Sequence, residues 1–361
     1  MELVNTTRLT AGCAPGRLAT NQMCLVVVAK ACFAWDDSPS PQAPTPITER
    51  VVLHDHDVQL EGTDVLAHEY DFVPYKPNCD VVLHGAVAYA PAGKPCERVA
   101  VGMGLGEWSK RFAVIGERAW ARGADGGWRA SDPVPFVELP LSWRNAYGGA
   151  VEDADGDVRC CPANPEGVGP WFEVDDALEG TPLPNTEQLD VPIDSPKADY
   201  VPQGLGPIAR HWAPRPDHAG TFDEAWERDR APFLPDDFDA RFHQCAPADQ
   251  QIAYPEAGDT LWLENLTTSG DARIPLPLEA VLMTVIRYDG ERIRLAPKVD
   301  TLIVDTSARR LDVVYRAHVP LARSVRDIEA VVIGKPTRGW ERARMTGKTY
   351  QPLGRPSRAR L

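Results

Sequence analysis

No stretch of this sequence is long and apolar enough to cross a bilayer as a helix. The longest apolar run, Met23–Ala34, ends after 12 residues and is interrupted by Lys30. The N-terminal residues lack a basic stretch followed by an apolar core and a small-residue cleavage site, which sets the expectation of a cytoplasmic chain. Its eight cysteines are then expected as reduced thiols, in a chain too long to need disulfides. Catalytic signatures are missing as well: there is no G-x-S-x-G elbow, no P-loop and no H-E-x-x-H. No internal repeat survives counting. Long helices are excluded by 34 prolines in 361 residues, well above the usual share of about 5%. Positive charge is scarce outside the C-terminal part. Residues 306–361 hold eleven Arg and two Lys against four acids, a net of +9, so a total of −14 leaves −23 on the remaining 305. An acidic body of that kind repels phosphates and argues against nucleic acid as a partner.

What is present reads as β-structure. Residues 25–29 are a compact β-former run, and 79–89 (CDVVLHGAVAY) is a second, stopped by Pro91-Ala92-Gly93. Residues 99–103 and 111–115 follow at turn-sized gaps, which predicts antiparallel neighbours. Short strands are also expected over 49–53 and over 134–141, the latter at an edge because of Pro135. Tyr288-Asp289-Gly290 between 282–287 and 292–295 is the clearest hairpin signal, and 302–304 with 311–315 predicts another. Residues 328–333 predict a last strand.

Between these blocks, residues 150–220 are crowded with proline and glycine, yet carry Trp171, Leu183, Ile193, Leu205, Ile208 and Trp212. Disordered linkers rarely hold so many large apolar groups. The expectation is an ordered, proline-rich excursion laid across a sheet. One short helix is predicted over 221–230, with Thr221 as cap and Phe222 and Trp226 on one face. The fold class is therefore mainly β, with antiparallel sheets in a sandwich or open barrel-like form and one or two short helices. It is expected either as one body over 1–333 or as two β subregions, 1–149 and 259–333, bridged by 150–258. Residues 334–361 are expected to project as a basic tail.

Four constellations invite chemistry. His54 and His56 share one face of an extended strand, and His68 or His84 would complete a zinc set, but solvent-facing strand ends explain them as well. Adjacent Cys160 and Cys161 cannot act as a CxxC pair, and neither stands beside a histidine. Residues 102–106 (GMGLG) imitate a dinucleotide loop, yet leave no room for the helix that would meet the pyrophosphate, and read as a tight turn. The acids between 223 and 239 fit caps and solvated faces better than a hydrolase pair. No cofactor or metal is expected from these residues.

Several strings remain: Pro74-Tyr75-Lys76-Pro77 with residues 80–85 (DVVLHG), 140–149 (PLSWRNAYGG), 164–169 (NPEGVG), 202–208 (PQGLGPI), 220–226 (GTFDEAW) and 235–242 (PDDFDARF). In that order they resemble the bacterial family called domain of unknown function 2169. The resemblance implies one family domain over most of the chain. It also implies a place beside type VI secretion, as an adaptor or chaperone that loads an effector onto the spike or its PAAR tip. Such a role makes effector, spike or tip proteins the expected partners, with no membrane partner. An enzyme, hydrolase or effector-modifying, and a structural part of the secreted spike are the other classes. Tyr75, Lys76, Trp143, Arg144, Tyr147, Trp212, Trp226 and Phe238, from the matching strings, are the candidate interaction or loop-scaffold residues.

Overall fold

The apolar run interrupted by Lys30 becomes the longest strand of the molecule. In the computed structural model, which describes residues 1–36, 42–48, 53, 56–60, 63–152, 156, 158–169, 171, 178–322 and 324–350, Met23–Ala34 (β3) is buried along nearly its whole length. β1 is Glu2–Asn5, β2 Thr10–Arg17 and β4 Cys79–His84. β5 (Arg98–Leu105) and β6 (Trp108–Ile115) form a hairpin, as do β7 (Thr260–Thr267) and β8 (Gly270–Pro275). β9 (Met283–Arg287) and β10 (Arg292–Leu295) close around Tyr288-Asp289-Gly290, and β11 (Lys298–Asp305) turns into β12 (Arg310–Pro320). β13 is Ile328–Ile333.

Three sheets of four or more strands result, beside two-stranded pairs. The largest runs Gln251–Ile252, β4, β11, β12, β3, β2, with Thr45–Pro46 also paired to β3. The second runs Thr186–Glu187, β6, β5, β7, β8, and the third β1, β13, β9, β10. Alternate residues of each sheet meet in one apolar cluster: Leu25, Val27 and Phe33 from β3, Val101 and Phe112 from the second sheet, Val285 and Val331 from the third. This is a mainly β fold without a closed barrel. The pairing is mixed, not wholly antiparallel: β4 lies parallel to β11 and β1 parallel to β13. β5 and β6 pair as expected, but β4 leaves them for another sheet. A left-handed Gly85 (φ 60°) breaks 79–89 into β4 and Val87–Tyr89. Of 134–141, Glu138–Pro140 forms a strand against Val87–Tyr89, and Phe136 makes a single bridge to Cys96. The expected strand 49–53 lies outside the described residues apart from Leu53.

The imitation dinucleotide loop is the end of β5. Gly104 sits in the strand because an added Cβ would stand 2.6 Å from Trp262 and from the Trp108 carbonyl oxygen, and only Gly106 (φ 60°) makes the turn. The proline-rich excursion packs its apolar residues with Trp120, Trp143 and Tyr147 of the preceding segment in two small cores. One gathers Trp120, Tyr147, Trp171, Leu183 and Ile193, and the other Trp143, Ala146, Ile208 and Trp212. α1 is Glu224–Asp229, capped by Asp223, whose Oδ1 accepts from Trp226 N at 2.8 Å, and not by Thr221. The C-terminal part departs from expectation. Residues 338–345 form α2 (Arg338–Met345), capped by Thr337, and Trp340 is buried against Val4, Ile286, Ala330 and Val332 of the third sheet. Residues 351–361 lie outside the described residues.

Candidate functional site

The second face of the largest sheet is covered, and beside apolar Cys24, Val26, Val28 and Val314 it carries a belt of buried charges. Lys30 on β3, Asp312 and Arg316 on β12, Asp80 on β4 and Asp300 on β11 are all buried there. Residues 69–78 and 205–250 lie over them and supply the opposing groups. Asp71 pairs with Lys30 and lies 3.7 Å from Arg316, which reaches Asp300 Oδ2 at 3.0 Å. Lys76 Nζ donates to Asp80 Oδ2 at 2.7 Å and to Thr301 Oγ1 at 3.0 Å. The same carboxylate accepts from Gln244 Nε2 at 2.6 Å and Cys245 N at 2.8 Å. Arg215 forks onto Glu69 at 2.9 and 3.0 Å and donates to the carbonyls of Ile208 and Phe242.

These pairs tie the covering loops to the sheet and to one another. Burial acts to lower the Lys76 pKa, but Asp80, with Asp300, outweighs it and holds the ammonium well above its ordinary range. Burial pushes the Cys245 thiol far up despite nearby Lys76, so it is no thiolate nucleophile. His243, by burial and then by the charges of Arg316, Lys76, Arg215 and Arg210, is pushed down to about 3. It stays neutral among cations.

Within the covering segment 205–250 lies an exposed aromatic ridge. Phe222 and Trp226 meet edge to face with centroids 4.7 Å apart, and Trp226 Nε1 donates to the Phe233 carbonyl at 2.8 Å. Phe222 is 57% and Phe233 46% exposed, large values for side chains of this size. The ridge is fastened to the body. Asn21 Nδ2 donates to Leu234 O at 3.0 Å, Leu234 N donates back to Asn21 Oδ1 at 2.8 Å, and the Arg17 guanidinium lies 4.7 Å from the Phe233 ring. Thr221 donates through N and Oγ1 to the Asp237 carboxylate, and these bonds hold that acid below its ordinary range. Residues 220–239 carry seven acids against Arg228 and Arg230, a net of −5. Both arginines pair locally, with Asp229 and Asp236.

The residues singled out in the sequence divide by exposure. Lys76, Trp143, Tyr147 and Trp212 are buried. Trp143 Nε1 donates to Pro207 O at 3.0 Å and its ring meets Trp212 at 5.9 Å, so both anchor the excursion. Tyr147 donates to Asp199 Oδ1 at 3.1 Å, and burial, then Asp199, pushes its phenol up to about 12. Arg144 is half-exposed, 3.7 Å from Glu166. Tyr75 is exposed beside His318. Trp226 belongs to the ridge, while half-buried Phe238 lies behind it, 6.0 Å from Phe242. His54 lies outside the described residues, and His56 and His68 face each other in register across the hairpin of His56–Leu60 and Thr63–His68. Among the described residues no three His, Cys, Asp or Glu side chains converge for a metal. Sequence reasoning missed Phe233, Arg17 and Asn21, which are distant in the chain and carry no local signal.

Comparison with known proteins gives one match, to the family described as uncharacterized protein conserved in bacteria (DUF2169), over residues 20–316. No curated protein and no solved structure matches the chain.

Proposed function

We propose, from the premise that this chain belongs to the DUF2169 family of bacterial proteins, that it is an adaptor or chaperone gripping a secreted polypeptide. In its specific form, the proposal is a cytoplasmic adaptor that helps load a type VI secretion effector onto the spike or PAAR tip. The observation carrying this reading is the Phe222–Trp226–Phe233 ridge, held rigid by Asn21 and Arg17 and rimmed by acids. Rigid, partly apolar aromatics are the side chains that anchor protein interfaces, and a charged rim around them sets orientation and encounter rate. The secretion context comes from the ordered strings of the sequence and from the resemblance they carry.

The test is affinity purification of the tagged protein from its own bacterium, with identification by mass spectrometry. An effector, spike or tip protein is expected in stoichiometric amount. Phe222→Ser combined with Trp226→Ser, both at reachable positions, is expected to cut that recovery about thirtyfold, as for loss of a hot spot worth about 2 kcal/mol. If no such polypeptide is enriched over control, the adaptor reading fails. Persistence of the protein itself in secreted material would instead make it part of the spike.

A further inference from the structure

The string Pro74-Tyr75-Lys76-Pro77 takes no part in the aromatic ridge, yet three of its residues line a cavity of 250 Å³ beside the start of β11. Two cations set the chemistry of this cavity. Lys298 of β11 and Arg316 of β12 stand directly opposite each other in the antiparallel register. Like charges in that position repel and weaken the pairing of the strands. Lys298 is exposed at the mouth and makes no ion pair among the described residues, its ammonium lying 5.3 Å from the centre of the Tyr254 ring. Arg316 is enclosed at the floor. Its Nη1 is 3.0 Å from Asp300 Oδ2 and its Nη2 3.7 Å from Asp71 Oδ1, but none of its three nitrogens meets an acceptor at hydrogen-bonding angles. A buried guanidinium ordinarily spends its donors on carboxylates and carbonyls, as Arg215 does. Asp300 itself sits at an irregularity of β11, where the register passes from Val299 opposite Tyr315 to Thr301 opposite Val314. A bulge of this kind re-aims a side chain and recurs beside functional sites.

The charges around the cavity leave one unit over. Lys76, Lys298 and Arg316 line it with Asp300, and Asp80 pairs with Lys76, so three cations face two acids. Asp71, beside Arg316, is offset by Lys30. Glu256 and Glu279 line a neighbouring cavity together with Lys298, but neither pairs with it. The remainder is +1, in a molecule whose total is −14. Around the cations the wall is aromatic. Tyr75 lies 5.9 Å from the His318 ring, whose Nδ1 is 3.0 Å from the Pro74 carbonyl oxygen. Tyr254 donates its hydroxyl to Lys76 O at 2.6 Å. The volume limits the size of a guest: about 150 Å³ holds a benzene in a protein interior, so 250 Å³ leaves room for one ring and one acid group.

We propose that this cavity binds a small monocarboxylate, its acid group on Lys298 at the mouth and facing Arg316 at the floor, its body against Tyr75, Tyr254 and His318. One carboxylate supplies the single negative charge that the site is short of, and relieves the repulsion between the opposed cations. A phosphate group, with a charge of about −1.5 to −2 at pH 7, would overfill it. The acid group belongs either to a free small molecule or to the C-terminal residue of a polypeptide, which present the same chemistry. None of the ridge residues lines the cavity, so the site stands apart from the adaptor reading.

The test is ligand-observed NMR titration of the full chain with benzoate and, as its uncharged counterpart, benzamide. Benzoate is expected to bind about tenfold more tightly. Lys298→Ala, at an exposed position, is expected to weaken benzoate about tenfold, and Ala296→Trp, which fills the cavity from an exposed position lining it, to abolish binding. Arg241→Ala removes an exposed cation outside the cavity and is expected to change nothing, which separates a local site from general attraction. Arg316→Gln is expected to lose binding as well. Should it melt early, Lys298→Glu, which reverses the charge at the mouth, decides the matter. The peptide Gly-Gly-Phe, with a free and with an amidated C-terminus, identifies the source of the acid. Tighter binding of the free-acid peptide than of benzoate assigns a polypeptide C-terminus, and the reverse order assigns a free acid; the carboxylate site stands in both. Benzamide equal to benzoate, inorganic phosphate as tight as benzoate, or unchanged affinity in Lys298→Ala and Ala296→Trp would overturn the proposal. So would the absence of binding by both benzoate and the free-acid peptide.

Discussion

Arg215 is almost fully enclosed, and its guanidinium spends its donors on Glu69 and on the carbonyls of Ile208 and Phe242. Removing one partner of such a pair strands a buried charge. Arg215→Ala is expected to cost about 3–5 kcal/mol, read as a lower urea midpoint at constant slope. Arg241→Ala, which breaks the exposed pair with Asp239, is expected to leave the midpoint where it is. His243 gives the acid side of the stability curve its direction. Its folded pKa is depressed to about 3, so the stability tied to its neutral form is fully present above the unfolded value near 6.5 and is lost as pH falls from there toward 3. The slope from this group is at most about 1.4 kcal/mol per pH unit. Burial raises Asp300, which acts in the opposite sense over the acid range, so the comparison of wild type with His243→Gln is what isolates the histidine. Thermal melts from pH 7 to 4 are expected to show the shallower decline for His243→Gln. None of these pairings was legible in the sequence. Lys30 gave a hint by interrupting an apolar run, but Asp71 meets it, and Arg316 links Asp71 to Asp300, through a sheet that only the long-range register defines.

At the scale of elements, legibility followed locality. The β9–β10 and β11–β12 hairpins and β13 were readable because alternation and turn chemistry act within a dozen residues or so. Parallel pairing has no such local mark, which is why β4 was expected beside β5 and lies beside β11 instead. α2 was missed because its composition is basic and only Trp340 of its residues is buried. The charges are nonetheless placed: Arg344 forks onto Glu329 at 2.9 and 2.8 Å, and Glu341 receives Arg292. Trp340→Ala is expected to cost about 3–5 kcal/mol of local packing, and to open residues 335–350 to protease while the sheets resist. Thr337→Ala, which removes the cap, is expected to do the same more weakly, by about 1 kcal/mol.

For the molecule as a whole, the excess of acid over base shapes how partners arrive. The ridge has a local net of −5, so a basic segment is drawn to it, and the association rate with such a partner is expected to fall steeply between low and physiological salt. Stopped-flow mixing at two ionic strengths reads this directly, and dissociation is expected to change far less. The overall class was legible from runs, turns and proline content. The arrangement of three sheets around one apolar cluster was not, since it depends on which distant strands choose each other.

That choice has a consequence for how the protein is made. β1 lies parallel to β13, with Glu2 opposite Ala330 and Asn5 opposite Ile333. β1 therefore waits for β13, which is synthesised much later, before its edge is satisfied. Until then Leu3 and Val4 have no lasting partner, and the open flank of the third sheet is available to any nascent chain nearby. Completion of this sheet is tied to the emergence of β13, so a pause in translation ahead of it prolongs the interval in which a chaperone must shield β1.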